Sequence, residues 1–70
     1  MPMLPVKSSN IEAIGHDDKT NVMEVKFKGS GTYYYSGVDK AKFERVLKAK
    51  SVGTAFHSII KAHHKGTPKK

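Results

Sequence analysis

The sequence lacks cysteine and tryptophan entirely, and none of its apolar runs is long. Without cysteine there are no disulfide bonds and no cysteine-ligated zinc sites, so an apolar core must stabilise the fold. The same absence is typical of a reducing compartment, and we predict a cytoplasmic protein. No apolar run approaches the roughly 20 residues that cross a membrane, and no signal-peptide pattern is present. We therefore expect no membrane partner.

Acidic residues are also scarce, because six Asp and Glu face thirteen Lys and Arg, which gives a net charge of +7. The imbalance lies in one half of the chain. Residues 1–39 carry four lysines and five acidic residues, whereas residues 40–70 carry eight lysines, one arginine and one glutamate. Such asymmetry favours an acidic partner, either nucleic acid or an acidic protein. Plain solubility of a basic surface is the alternative explanation.

Three short strands are predicted in the first half. Residues 22–28 alternate apolar and polar side chains, which is typical of a strand with one buried face. Gly29, Ser30 and Gly31 predict a turn that leads into a strand over residues 32–36. A further strand is predicted before them, over residues 10–16.

Two helices are predicted in the second half. Asp39 and Ser51 are suitable N-caps, and the first helix is predicted over residues 40–50. The second helix has apolar side chains in a helical register, namely Val52, Ala55, Phe56, Ile59, Ile60 and His63. Gly66 and Pro68 are expected to end it.

This order of elements predicts an α+β fold, in which a small three-stranded antiparallel sheet is followed by two C-terminal helices packed on one face. A length of 70 residues suits a single domain. We predict that domain over residues 8–65. Residues 1–7 are predicted to be a flexible leader, and residues 66–70 a basic disordered tail.

Three consecutive tyrosines, Tyr33, Tyr34 and Tyr35, are the first candidates for ligand contact. On a strand, Tyr33 and Tyr35 share one face and Tyr34 lies on the other. An exposed ring can stack on a nucleobase, which contributes about 1–3 kcal/mol per base. Alternatively, the face of Tyr33 and Tyr35 packs under the helices, and Tyr34 is then the exposed ring. The alternation leaves both arrangements open.

Basic residues of the second half are the other candidates, because they can contact phosphates without reading sequence. This cluster comprises Lys40, Lys42, Arg45, Lys48, Lys50, Lys61, Lys65, Lys69 and Lys70. From it we select, as candidate nucleic-acid contacts, Lys40, Lys42, Arg45, Lys48 and Lys61. Lysine greatly outnumbers arginine, the better bidentate reader of phosphate and guanine, so we expect low sequence specificity.

Catalytic and cofactor motifs are absent from the sequence. It has no nucleophile elbow, phosphate-binding loop or paired acidic motif, so we predict a non-enzymatic protein without a cofactor. The four histidines, His16, His57, His63 and His64, lack the spacing of a metal site. His16 is isolated, and we interpret the other three as a solvated, pH-sensitive rim.

A series of short motifs resembles the KTSC domain family over nearly the whole chain. The motifs are Ser8-Ser9-Asn10-Ile11, Ala13-Ile14-Gly15, Val25-x-Phe27, Tyr33-x-Tyr35, Val38, Phe43-x-x-x-Leu47, Ser51-x-Gly53-x-x-Phe56 and Ile60. The family occurs at the C-terminus of some lysyl-tRNA synthetases and alone in small bacterial and phage proteins, and it has no established function. The resemblance implies RNA binding, with Tyr33 and Tyr35 as the candidate contacts. The chain departs from the family pattern at His16, Asp39 and His57.

These observations together predict a small basic binding module, an accessory domain that binds nucleic acid with a preference for RNA over DNA. The alternative is a protein–protein interaction module that docks on an acidic partner or associates with itself.

Overall fold

A computed structural model describes residues 2–69 of the chain, so Met1 and Lys70, the outer ends of the predicted leader and tail, lie outside the described residues. The strands are β1 (Leu4–Pro5), β2 (Ile11–Asp17), β3 (Val22–Phe27), β4 (Gly31–Ser36) and β5 (Gly66–Pro68). The helices are α1 (Lys40–Leu47) and α2 (Val52–Ala55), and α2 continues directly into a π-helical segment, Phe56–Lys61.

The sheet is antiparallel and has five strands in the order β1-β2-β3-β4-β5. The α+β class is correct, but the predicted three-stranded sheet is wrong. The two additional strands come from the segments that we expected to be a leader and a tail. Both are too short to show an alternating pattern, and each contains a proline, Pro5 or Pro68. Proline is tolerated on these outermost strands because one side of an edge strand needs no N–H donor.

Both predicted helix caps are confirmed. The Asp39 carboxylate accepts from the Lys42 amide at 2.8 Å, and the Ser51 hydroxyl oxygen accepts from the Thr54 amide at 3.3 Å. The first helix ends at Leu47 rather than at the predicted residue 50, because the Ala49 amide bonds three residues back, to Val46, at 3.2 Å. Such a tightened final turn closes a helix.

The π-helical segment changes the register of the second helix. The Ala62 amide donates to the carbonyl of His57, five residues earlier, at 3.1 Å, which widens the turn. Residues after the wide turn are therefore displaced around the helix axis. The predicted inward position of His63 is wrong, since His63 is exposed, and His64 is half-buried in its place.

The core lies between the helices and one face of the sheet. Its fully buried members come from both layers and include Ile14, Met23, Val25, Val46, Phe56 and Ile60. The Phe56 ring meets Tyr35 edge-on at 5.2 Å and Phe27 at 5.5 Å, so β3 and β4 turn these rings toward the helices. Within residues 2–69, no helix has the length and apolar character needed to cross a membrane.

Candidate nucleic-acid interface

The tyrosines of β4 lie on two different faces of the sheet. Tyr35 is 4% exposed and contributes to the core. Tyr33 is half-buried beside it and meets the Phe27 ring edge-on at 5.6 Å. Tyr34 lies on the opposite face, where the Lys69 ammonium is 5.8 Å from its ring centroid. The helices therefore cover the face of Tyr33 and Tyr35, and these two rings do not form an open, flat platform.

A cleft remains between the β3–β4 hairpin and the end of the π-helical segment, and we call it the hairpin cleft. Its volume is about 520 Å³, and its lining residues are Phe27, Ser30, Tyr33, Tyr35, Lys61, His64, Lys65 and Gly66. Aromatic rings thus face two lysines across the opening. The volume falls within the roughly 300–1,000 Å³ of small-molecule sites.

A second cleft lies between α1 and the π-helical segment, and we call it the helix cleft. Its volume is about 400 Å³, and it is lined by Lys42, Arg45, Ser58, Ile59, His63 and His64. Lys42 and Arg45 come from one helix, and the two histidines come from the end of the other. The two cations of α1 therefore share one concave surface with two imidazole rings from the other element.

His64 lines both clefts and is held on both sides of its ring. Its Nδ1 lies 2.9 Å from the carbonyl oxygen of Ser36, and its Nε2 lies 3.2 Å from Nζ of Lys42. A carbonyl can only accept and an ammonium can only donate. The neutral tautomer with its proton on Nδ1 satisfies both contacts, so His64 positions the Lys42 side chain beside it.

The buried position of Tyr35 affects its ionisation. Burial raises the pKa of the Tyr35 phenol, and the neighbouring Tyr33 raises it further. The phenol is therefore uncharged at neutral pH. An uncharged wall suits an aromatic ligand better than a phenolate would in a cleft that also carries lysines.

The structure brings together only part of the predicted site. Five of the predicted residues line the two clefts, namely Tyr33, Tyr35, Lys42, Arg45 and Lys61. Tyr34 lies on the other side of the sheet. Lys40 at the start of α1 and Lys48 just after its end are exposed and line neither cleft.

The selection of site residues from the sequence omitted several residues of these clefts, among them Lys65, Phe27 and His64. Lys65 belonged to the basic cluster, but Gly66 after it was read as the start of a disordered tail. Phe27 was assigned to the core by its alternation. Helical periodicity carries no signal for the wider π turn, so it does not predict that His64 lines both clefts. Among residues 2–69, no three His, Asp or Glu side chains converge in a way that could hold a metal ion.

Comparison with known proteins places the chain in context. The model of the KTSC domain matches residues 7–64. A crystal structure of a KTSC domain protein from Yersinia pestis superposes with a TM-score of 0.93 at 32% sequence identity, covering 99% of this chain and 97% of that one.

Two relatives are similar over most of their length. A protein from Tsukamurella paurometabola is 39% identical over 59 residues, which are 84% of this chain and 88% of the relative. An uncharacterised protein from Stutzerimonas stutzeri is 28% identical over 64 residues, which are 91% of this chain and 90% of that protein.

Proposed function

The chain belongs to the KTSC domain family, and from that premise we propose that it is a non-enzymatic accessory module that binds nucleic acid in the cytoplasm. It prefers RNA to DNA and has low sequence specificity. The observation that carries this proposal is the hairpin cleft, which is lined by aromatic rings and lysines, together with the adjoining helix cleft, which is lined by Lys42 and Arg45.

The chemistry of the two clefts supports this ligand class. Tyr33 and Lys61 lie on the same cleft, so a base and its neighbouring phosphate can be contacted together. Lys42 and Arg45 extend the positive surface into the helix cleft. Contacts of this kind hold the backbone and neutralise phosphates without distinguishing bases.

Low specificity follows from the type of cation. Lys42, Lys61 and Lys65 line the clefts, whereas Arg45 is the single arginine. A lysine ammonium acts as a point charge, and the planar arginine group is the better reader of guanine. Binding is therefore expected to depend strongly on salt, because phosphate contacts release counterions.

The test is fluorescence anisotropy of the purified, nuclease-treated protein with labelled tRNA, single-stranded RNA and duplex DNA at low and near-physiological salt. Micromolar or tighter binding that prefers RNA and persists at near-physiological salt supports the proposal. The double variant Lys42→Glu/Arg45→Glu is expected to weaken binding to all sequences alike and to flatten its salt dependence.

A matched control has the same change in net charge. Lys7→Glu/Lys19→Glu alters two exposed lysines that line neither cleft. If both double variants weaken binding equally, the affinity reflects overall charge, and the clefts are not the interface. Equal binding to tRNA, single-stranded RNA and duplex DNA that is lost at near-physiological salt would also show that the affinity reflects overall charge.

A protein-interaction module is the second candidate, and the exposed edge of β1 favours it. Leu4 on this edge strand is 42% exposed, which is unusual for a large apolar side chain among residues 2–69. Exposed strand edges pair with other chains. One stoichiometric protein partner recovered after nuclease treatment, and lost in Leu4→Glu, would support this function; sedimentation of the purified protein tests self-association.

A further inference from the structure

We propose that the two clefts together bind one unpaired nucleotide, with its base in the hairpin cleft and its phosphate in the helix cleft. This inference rests on the proposed function and specifies the ligand. The ligand is a single-stranded segment of nucleic acid in which at least one base is free to turn out of the stack.

The aromatic lining of the hairpin cleft suits an unpaired base. Tyr35 is 4% exposed, Tyr33 is half-buried, and both rings line the hairpin cleft. A base that is paired inside a duplex cannot enter such a cleft, whereas an unpaired base can be splayed out and stacked on an aromatic side chain. The hairpin cleft therefore selects unpaired bases by shape.

The positive charge of the helix cleft suits a phosphate. Lys42 uses one ammonium hydrogen for His64 and keeps two for a ligand. Arg45 is exposed and, among residues 2–69, forms no ion pair with a carboxylate. A phosphate is the anion that suits these two donors, because it accepts several charge-assisted hydrogen bonds at once.

His64 links the two clefts. Its ring lines both clefts and is fixed by the Ser36 carbonyl at Nδ1 and the Lys42 ammonium at Nε2. The two binding surfaces therefore keep a constant relation to each other. A nucleotide has its base and phosphate joined by one sugar, which suits two clefts that share His64.

The competing arrangement is a superficial one, in which the basic surface of α1 holds the phosphate backbone and no base enters the hairpin cleft. The two arrangements differ in what they demand of the ligand. Insertion requires an unpaired base, whereas a superficial contact depends only on the phosphates.

The experiment compares three RNA probes of the same length at one salt concentration. They are a single strand, the same strand with abasic sites, and the fully paired duplex. If a base enters the hairpin cleft, the intact single strand should bind about 5- to 150-fold more tightly than the abasic strand. The duplex should bind no better than the abasic strand.

Two protein variants locate the base. Tyr33→Ala should remove the preference for the intact strand and leave duplex binding unchanged, whereas Tyr34→Ala, on the opposite face, should leave the preference intact. Circular dichroism checks that each variant folds, and the abasic comparison tests the proposal on the unaltered protein.

Each outcome has one meaning. Equal binding of the intact strand, the abasic strand and the duplex overturns the inference but leaves nucleic-acid binding in place. Equal loss of the preference in Tyr33→Ala and Tyr34→Ala overturns the placement of the base. No binding of any probe at low salt overturns the proposed function itself.

Discussion

Lys69 and Glu24 form an ion pair that ties the end of the chain to the central strand of the sheet. The Lys69 ammonium lies 3.1 Å from a carboxylate oxygen of Glu24, on the sheet face that the helices leave open. The Glu24 side chain is 8% exposed and that of Lys69 is 50% exposed. A hydrogen bond to Glu24, and then its charge, raise the pKa of the Lys69 ammonium. The pair thus secures β5 beside β4.

We predict that Lys69→Met destabilises the fold more than Lys26→Met does. Lys69→Met leaves the buried Glu24 carboxylate without its partner, and an unpaired buried charge is costly. Lys26 is the matched control, because it lies 3.1 Å from Glu12 in a pair whose side chains are 51% and 52% exposed. Exposed pairs of this kind contribute about 0–1 kcal/mol. Urea denaturation at pH 7 measures both variants, and equal midpoints would contradict a structural role for the Lys69 pair.

β3 and the helix caps could be predicted from the sequence, whereas β5 could not. The alternating pattern around Val25 identifies β3 because Met23 and Val25 face the core, although Glu24 on the other face is buried as well. The caps Asp39 and Ser51 act through local hydrogen bonds. By contrast, Gly66, Thr67 and Pro68 have the composition of a turn. Their strand conformation depends on pairing with β4 and on the packing of Gly66 against Tyr35, and Lys69 after them pairs with Glu24. All of these partners are distant in sequence.

The candidate site, like the fold, was only partly predictable from the sequence. The basic half of the chain and the tyrosines were visible in the sequence, but alternation alone could not decide whether Tyr33 or Tyr34 faces the helices. Their placement follows from Phe56, whose ring packs on Tyr35. The role of His64 depends on the π turn at residues 56–61, which no periodicity indicated.

The ionisation of Tyr35 leads to a prediction about alkaline pH. Because burial raises the pKa of Tyr35 in the folded protein, the unfolded chain loses the phenolic proton first, near its ordinary pKa of roughly 10. The contribution of Tyr35 to stability is therefore fully present at neutral pH and is lost as the pH rises through the raised pKa.

Tyr35→Phe tests this linkage, because phenylalanine keeps the ring and removes the titrating group. The decrease in the free energy of unfolding above about pH 10 should be smaller in Tyr35→Phe than in the unaltered protein, as measured by urea denaturation across a pH series. Identical profiles for Tyr35→Phe and the unaltered protein would contradict the effect of burial.

Phe56 is predicted to be the most sensitive core position of the second helix. Its side chain is 1% exposed and its ring meets Tyr35 and Phe27 edge-on. A Phe→Ala change in a core costs about 3–5 kcal/mol, which is close to the whole stability of a domain of this size. We expect Phe56→Ala to be largely unfolded by circular dichroism at 25 °C, and Phe56→Leu to stay folded with a lower midpoint. A cooperative unfolding transition near that of the unaltered protein in Phe56→Ala would contradict this prediction.

Adding a methyl group at Gly66 of β5 is predicted to destabilise the fold. A Cβ atom there would lie 2.7 Å from Cζ of Tyr35, a distance that forces one of them to move. Tyr35 cannot move away easily, because its ring packs against Phe56 at 5.2 Å. Gly66→Ala must therefore displace β5, and overpacking of this kind typically costs about 1–3 kcal/mol.

The matched control is Thr67→Ala, an exposed position on the same strand. Urea denaturation should show a loss of stability for Gly66→Ala that Thr67→Ala lacks. Hydrogen exchange adds a local measurement, because the Lys69 amide donates to the Thr32 carbonyl at 2.8 Å and should exchange faster once β5 moves. Gly66 also lines the hairpin cleft, so the displaced strand should weaken the preference for the intact single strand. If Gly66→Ala matches the control in both stability and exchange, β5 does not pack on Tyr35 as described.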